Sequence, residues 1–105
     1  MEKERELLFV ALEYDKNVPR LDLHGVHPND IENSIVNFLL DLIQKNKHSA
    51  QIIYGRGGSG VLRQKTIEFL NKNMHETDIN HRLVKAWKES VLQGAGGRCL
   101  ILIEG

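Results

Sequence analysis

Residues 20–25 have the sequence Arg20-Leu21-Asp22-Leu23-His24-Gly25, in which two leucines alternate with polar side chains before a glycine ends the run. Side chains of a β-strand point alternately to its two faces, so this period of two predicts a strand followed by a turn. Leu21 and Leu23 are expected to face the core, and Asp22 and His24 to share the opposite face. Polar residues two positions apart on a strand lie about 6.5–7 Å from each other, close enough to act on one phosphate, water or metal ion.

Predicted helices and strands alternate along the rest of the chain. Pro28 suits a first helical turn because its missing N–H would have no partner there, and apolar residues from Ile31 to Ile43 then recur with helical period. A second helix is expected at residues 61–73, and three more strands are expected at residues 50–54, 83–87 and 99–103. The order β-α-β-α-β-β predicts an α/β two-layer sandwich, with a four-stranded mixed sheet and both helices on one face. The other face of the sheet is then expected to be open to solvent.

The first nineteen residues form an N-terminal extension to this pattern. They begin with alternating charges and contain the apolar run Leu7 to Leu12. We expect a short helix or arm packed on a domain that spans residues 20–105.

Composition predicts an ordinary globular protein rather than a disordered chain, since 41% of the 105 residues are hydrophobic and 27% are charged. No apolar run reaches the length of a membrane span, and the acidic start does not fit a signal peptide. Cys99 is the one cysteine, which excludes an intrachain disulfide, and it lies in an apolar run where a buried thiol is expected. A cytoplasmic location with no membrane partner fits these features, as a monomer or a weak oligomer.

The net charge of zero conceals an uneven distribution along the chain. Residues 1–41 contain nine acidic and four basic side chains, whereas residues 42–105 contain five acidic and ten basic ones. Such a division can give a neutral molecule one basic face that attracts phosphates, unless folding mixes the two charge signs over the surface.

A glycine-rich loop, Gly55-Arg56-Gly57-Gly58-Ser59-Gly60, is expected between the second strand and the second helix. A mononucleotide P-loop is excluded because Val61 and Leu62 replace the lysine and hydroxyl residue that bind phosphate and magnesium. The loop matches the dinucleotide fingerprint GxGxxG, but the chain is too short for the two-halved sheet that normally follows it. An anion site is favoured instead, because backbone N–H groups would point outward beside the positive end of a helix. A purely structural turn is the remaining alternative.

Several side chains are candidates for the chemistry of such a site. Asp22 and His24 would be a catalytic acid–imidazole couple, because a neighbouring carboxylate favours the protonated ring near neutral pH; a hydrogen bond that only fixes the turn is the alternative. Arg56 and Arg63 would flank the loop and bind phosphate. Tyr54 is a candidate for base stacking, although packing is its commoner role, and Lys85 on the third strand is a candidate phosphate contact.

The chain resembles the small MutS-related (Smr) domain family through these same segments. Leu21-Asp22-Leu23-His24-Gly25 matches the leading motif of that family letter for letter, and Gly55-Arg56-Gly57 falls where its second motif, His- or Thr-Gly-x-Gly, belongs. Gly60-Val61-Leu62-Arg63 resembles the helix start behind that motif, and Gly94-Ala95-Gly96 resembles the last hairpin. The likeness covers residues 20–104. It implies a fold akin to the C-terminal domain of bacterial translation initiation factor 3.

The resemblance further implies binding of DNA or RNA and, in several family members, nicking or cleavage of it. Asp22 and His24 would then be catalytic, with a divalent metal as a possible cofactor. Tyr54 departs from the His or Thr of the second motif, and the loop behind it is shortened, so a polar group that positions water or phosphate is replaced. This departure weighs against nuclease activity more than against binding. The alternative is a non-catalytic module that binds RNA, a ribosome or a protein.

Overall fold

The computed structural model describes residues 2–55, 58–91 and 97–104, and in these it contains helices and strands in the predicted order. The turn predicted at Gly94-Ala95-Gly96 lies outside the described residues. The elements are α1 (Glu2–Tyr14), β1 (Arg20–Asp22), a 3₁₀ helix (Pro28–Asp30), α2 (Ile31–Gln44), β2 (Ser49–Ile53), α3 (Val61–Met74), β3 (Val84–Glu89) and β4 (Arg98–Ile103).

The four strands form one mixed sheet in the order β1-β2-β4-β3, which confirms the predicted fold class. β1 and β2 are parallel, and β4 is antiparallel to both β2 and β3. Ile53 in β2 pairs with Asp22 on one side and with Arg98 on the other. One end of the strands is marked by Asp22, Ile53, Arg98 and Glu89, the last residue of β3, and we call it the Asp22 end.

The main core lies between the sheet and the two helices α2 and α3, and we call the side of the sheet that these helices cover its first face. The apolar stripe of α2 is buried through Ile31, Ile35, Leu39 and Leu42, as its helical period predicts. Alternate residues of β2 and β4 complete this core, and they include Cys99. Burial raises the pKa of the Cys99 thiol to about 12, which confirms the prediction of a buried, un-ionised side chain.

The start of α2 differs in detail from the prediction. Residues Pro28–Asp30 form a 3₁₀ helix before the α-helix begins, and the His27 ring accepts a hydrogen bond from the backbone N–H of Asn29 through Nδ1 at 3.1 Å. The end of α2 is closed by Asn46, whose φ of +59° lets the chain reverse. The backbone N–H of Lys47 then bonds to the carbonyl of Leu42 at 2.9 Å.

The expectation of an uncovered second face is wrong for β3 and β4, because α1 packs there. Phe9 and Leu12 of α1 form a second apolar cluster with Val18 and with three residues of the sheet, namely Ala86, Leu100 and Leu102. Residues 1–19 thus contain a helix packed on the domain, as expected, but this helix adds a third layer over part of the sheet.

Two polar residues fix α1 in this position. The Glu13 side chain is only 5% exposed, and its carboxylate accepts hydrogen bonds from the Ser90 hydroxyl at 2.7 Å and from the backbone N–H of Val91 at 2.8 Å. Gln51 of β2, also buried, donates through Nε2 to the carbonyl of Leu12 at 3.3 Å. These bonds satisfy polar groups that burial would otherwise make costly.

Candidate functional site

Asp22 and His24 lie where the chain turns away from the Asp22 end of the sheet. The Asp22 carboxylate accepts a hydrogen bond from the backbone N–H of His24 at 2.9 Å, and Gly25 follows with a φ of +82°. Leu23 between them is fully buried, whereas both polar side chains are exposed. The turn at Gly25 is therefore fixed by a hydrogen bond between His24 and Asp22, as the structural alternative expects, and this bond uses the backbone N–H of His24 and leaves its imidazole out.

The strand pairing brings this couple next to the glycine loop, residues 55–60. The backbone N–H of Leu23 bonds to the carbonyl of Ile53 at 2.8 Å, which continues the parallel pairing of Asp22 with Ile53. Tyr54 and the loop follow directly. Because carboxyl ends of parallel strands meet at one edge of a sheet, the two segments that the sequence singled out are neighbours.

The described part of the loop has a backbone conformation that favours glycine. Gly55, Gly58 and Gly60 all have φ values between +71° and +79°. Gly60 is the N-cap of α3 and makes no side-chain cap bond, so the first N–H groups of the helix face the loop without a side-chain acceptor at the cap. The described loop residues and the first turn of α3 line an open cavity of about 170 Å³. Arg56 and Gly57 lie outside the described residues.

Arg63 on the first turn of α3 is paired with an acid rather than free. Its guanidinium donates through Nε and Nη2 to the two carboxylate oxygens of Glu89. Hydrogen bonding from Arg63 is the main reason that the pKa of Glu89 is lowered. The positive charge expected to neutralise a phosphate is thus largely offset in the free protein.

Tyr54 occupies a packed position in the main core. Its side chain is only 6% exposed, and its hydroxyl donates to Glu89 Oε2 at 2.9 Å. The pKa of the Tyr54 hydroxyl is raised, mainly by burial and to a smaller extent by the nearby Cys99 and Glu89. The ring therefore packs as a core residue and offers no open face for base stacking in this conformation.

Glu89 was not singled out by the sequence, although it holds both Tyr54 and Arg63. A single glutamate at the end of a strand carries no local signal of this role, since its partners lie 35 and 26 residues away along the chain. The role follows only from the fold, which places the end of β3 beside α3 and separates it from β2 by β4 alone.

The Glu89 ion pair predicts a pH-dependent contribution to stability. Because the folded pKa of Glu89 is lowered, the stabilisation is present above the unfolded pKa of about 4.3 and is lost as the pH falls through the folded value. We expect Glu89→Gln to lower the free energy of unfolding by up to about 1 kcal/mol at pH 7, the range for a partly exposed pair, and by less at pH 3. Urea unfolding at pH 7, 5 and 3 measures this. Glu68→Gln, on the exposed side of α3, is the matched control, and a loss from Glu89→Gln that does not change with pH would contradict the prediction.

Lys85 lies away from this site. It is the second residue of β3, directly after Val84. Val84 pairs with Ile103 at the opposite end of the sheet from Asp22. There it lines a cavity of about 400 Å³ between α1 and the sheet, together with His48 and Asp15. The structure therefore does not bring Lys85 together with the glycine loop.

Within residues 2–55, 58–91 and 97–104, no three His, Cys, Asp or Glu side chains are grouped so as to hold a metal ion. No helix in the same residues combines the length and the apolar character needed to cross a bilayer.

Comparison with known protein families gives a match to one family over most of the chain. The family model of the Smr domain matches residues 21–104, which is most of the chain. No curated protein sequence matches significantly.

Two solved structures share the fold at low sequence identity. The Smr domain of Thermus thermophilus MutS2 superposes with a TM-score of 0.70 at 18% identity, and the match covers 84% of this chain and all of that domain. YdaL, a stand-alone small MutS-related protein from Escherichia coli, gives a TM-score of 0.65 at 16% identity, with 82% of this chain and 64% of that chain covered. This chain thus spans just under two thirds of YdaL.

Proposed function

Because this chain belongs to the Smr domain family, whose model matches residues 21–104, we propose that its Asp22 end binds the phosphodiester backbone of DNA or RNA. The observation that carries the proposal is the meeting of Asp22 and His24 with the glycine loop at one edge of the sheet. We further propose residues 20–105 as the functional domain and residues 1–19 as an extension that packs on it.

The glycine loop supports phosphate binding through its backbone. Helix N-termini attract anions because the first N–H groups lack helical partners and the helix dipole is positive there. In α3 the cap residue Gly60 brings no side-chain acceptor, and Gly58 and Ser59 beside it are exposed. A phosphate oxygen can therefore approach the main chain directly.

The exposed couple supports a role at the same phosphate. Among the described residues, the His24 ring has no hydrogen-bond partner, and Asp22 uses one carboxylate oxygen for the turn. If the protein nicks its substrate, water attacks phosphorus while the P–O bond to the leaving oxygen breaks. Asp22 then orients the water and accepts its proton, and protonated His24 donates a proton to the leaving oxygen.

Two contacts favour the alternative of a binding module without catalysis. Tyr54 stands where the family motif has His or Thr, and its hydroxyl is engaged with Glu89 in the interior. Arg63, which lines the cavity beside the loop, is also held by Glu89. Binding is common to both alternatives, whereas cleavage requires Asp22 and His24 to act without help from the Tyr54 hydroxyl, which Glu89 holds.

The test is to incubate the purified protein with supercoiled plasmid and with a structured RNA, beside the variant Asp22→Ala/His24→Ala. His48→Ala is the matched control, because His48 is an exposed histidine at the opposite end of the sheet. Catalysis is supported if the double variant loses nicking while the control keeps it. Equal nicking by all three removes the couple from the mechanism. Salt-dependent binding without cleavage, with or without added Mg²⁺ or Mn²⁺, supports the binding module, and no binding to either nucleic acid overturns the proposal.

A further inference from the structure

The second face of the sheet carries a pair of arginines beside the apolar cluster under α1: Arg98 lies at the Asp22 end, and Arg20 lies level with Gln51 in the middle of β2. The Gln51 side-chain oxygen accepts a hydrogen bond from Arg98 Nη1 at 3.1 Å and lies 3.4 Å from Arg20 Nε, which also donates to it. Gln51 itself is buried and anchored to α1. Two positive charges are thus brought to the same neutral oxygen.

Among the residues that the structure describes, this pair has no carboxylate partner. In the described part of the chain, neither guanidinium forms an ion pair with a carboxylate. Arg98 Nε is buried and has no hydrogen-bond partner. Like charges that share a neutral acceptor repel each other, and a buried donor without a partner is unfavourable. An anion bound between the exposed parts of the two guanidinium groups would relieve the repulsion.

The two arginines differ in what else they do. Arg20 also donates to the backbone carbonyls of Lys16 and Asp15, so it holds the segment that leads from α1 into β1. The guanidinium of Arg98 makes one hydrogen bond within the described part of the chain, to Gln51. A structural role accounts for Arg20 but leaves most of the Arg98 guanidinium unexplained.

Arg98 is also close to the site already described. It follows Gly97, whose carbonyl accepts the backbone N–H groups of Tyr54 and Gly55 at the start of the glycine loop. Asp22 and Arg98 flank Ile53 from the two neighbouring strands, so their backbones lie about 10 Å apart at the usual strand spacing.

We propose that Arg98, supported by Arg20, is a second phosphate-binding site, and that it takes a phosphate of the same nucleic-acid strand as the glycine loop. The inference rests on the proposed function and extends it. The strand crosses the end of the sheet at Asp22 and continues onto the second face, where Arg20 is exposed and Arg98 is partly exposed.

The experiment measures the affinity of the full chain for a fluorescein-labelled RNA hairpin and a DNA duplex at several salt concentrations. Arg98→Gln is expected to weaken binding roughly tenfold at low salt and to reduce the slope of log K against log salt by about one, as for a lost phosphate contact. Arg98→Lys should keep the slope and lose less affinity. Arg82→Gln is the matched control, because Arg82 is paired with Glu104 at the opposite end of the sheet and should not change the slope.

The outcomes separate this inference from the proposed function. If Arg98→Gln, shown to be folded by urea unfolding, binds with unchanged affinity and slope while a substitution in the glycine loop weakens binding, the second site is wrong and the first remains. If the unaltered protein binds neither probe, the proposed function fails and the second site fails with it. An equal loss in the Arg98→Gln and Arg82→Gln variants would indicate a general charge effect and would also overturn the assignment.

Discussion

Replacing Gly60 by valine is expected to lower the free energy of unfolding by roughly 1–3 kcal/mol and to weaken nucleic-acid binding through the same local change. Gly60 has a φ of +79° and is the N-cap of α3. An added Cβ would meet nothing within 4 Å, so the cost comes from the backbone conformation alone. A β-branched residue is strongly disfavoured at this φ, and the chain is expected to relieve the strain by rotating the loop, which turns the first N–H groups of α3 away from a bound phosphate.

A graded series makes this prediction specific. Asparagine tolerates the left-handed region better than other residues with a side chain, so Gly60→Asn should cost least, Gly60→Ala more and Gly60→Val most. Urea unfolding gives the stability, and titration of the labelled RNA hairpin gives the affinity. Valine and asparagine variants with the same stability and affinity would show that the conformation at Gly60 is not required. A loss of stability without a loss of affinity would separate the loop backbone from binding.

The meeting of the two motifs could be predicted from local patterns. The alternation around Leu21 and Leu23 identified β1, and the apolar run before Tyr54 identified β2. Because β1 and β2 are parallel neighbours, their carboxyl ends lie at the same end of the sheet. Asp22 and the glycine loop, which are at or just beyond those ends, must therefore meet. The agreement arises because period, turn residues and strand order all favour the same topology.

The partners of the site residues could not be predicted in this way. Arg63 and Tyr54 were expected at the loop, and both are near it, but Glu89 holds them in the free protein. That contact depends on the placement of β3 beside α3, which no short-range pattern specifies. Lys85 lies far from the glycine loop for a related reason, because a residue at the start of β3 is at the opposite end of the sheet from Glu89.

The covered second face has a similar explanation. Apolar residues of α1 are spread around much of the helix, so the sequence did not show which side packs. Phe9 and Leu12 are buried, whereas Leu7, Leu8 and Val10 are more than half exposed. Glu13 contributes to this choice, because its buried carboxylate accepts hydrogen bonds from Ser90 and Val91, far along the chain.

Replacing Phe9 by alanine is expected to have the largest effect on stability. The side chain is 6% exposed and packs with Leu100 and Leu102 under α1. Truncating a buried phenylalanine costs about 3–5 kcal/mol when the surrounding structure does not collapse. If α1 detaches instead, the loss cannot exceed the free energy with which the helix is docked, and the apolar residues of β4 become exposed to solvent.

Urea unfolding combined with hydrogen exchange separates these two results. A docked helix gives a large loss of stability with α1 amides still protected, whereas a detached helix gives a smaller loss and fast exchange confined to α1. Leu7→Ala is the matched control, since Leu7 is on the same helix but 69% exposed and should change stability by no more than about 0.5 kcal/mol. Equal effects of the two substitutions would contradict the packing of α1. Where α1 stays docked, the Phe9→Ala protein should still bind the RNA hairpin, because Phe9 lies away from the Asp22 end. Where α1 detaches, binding should weaken, because Gln51, which holds Arg98 and Arg20, is anchored to Leu12 of α1. A loss of binding with α1 still docked would contradict this expectation.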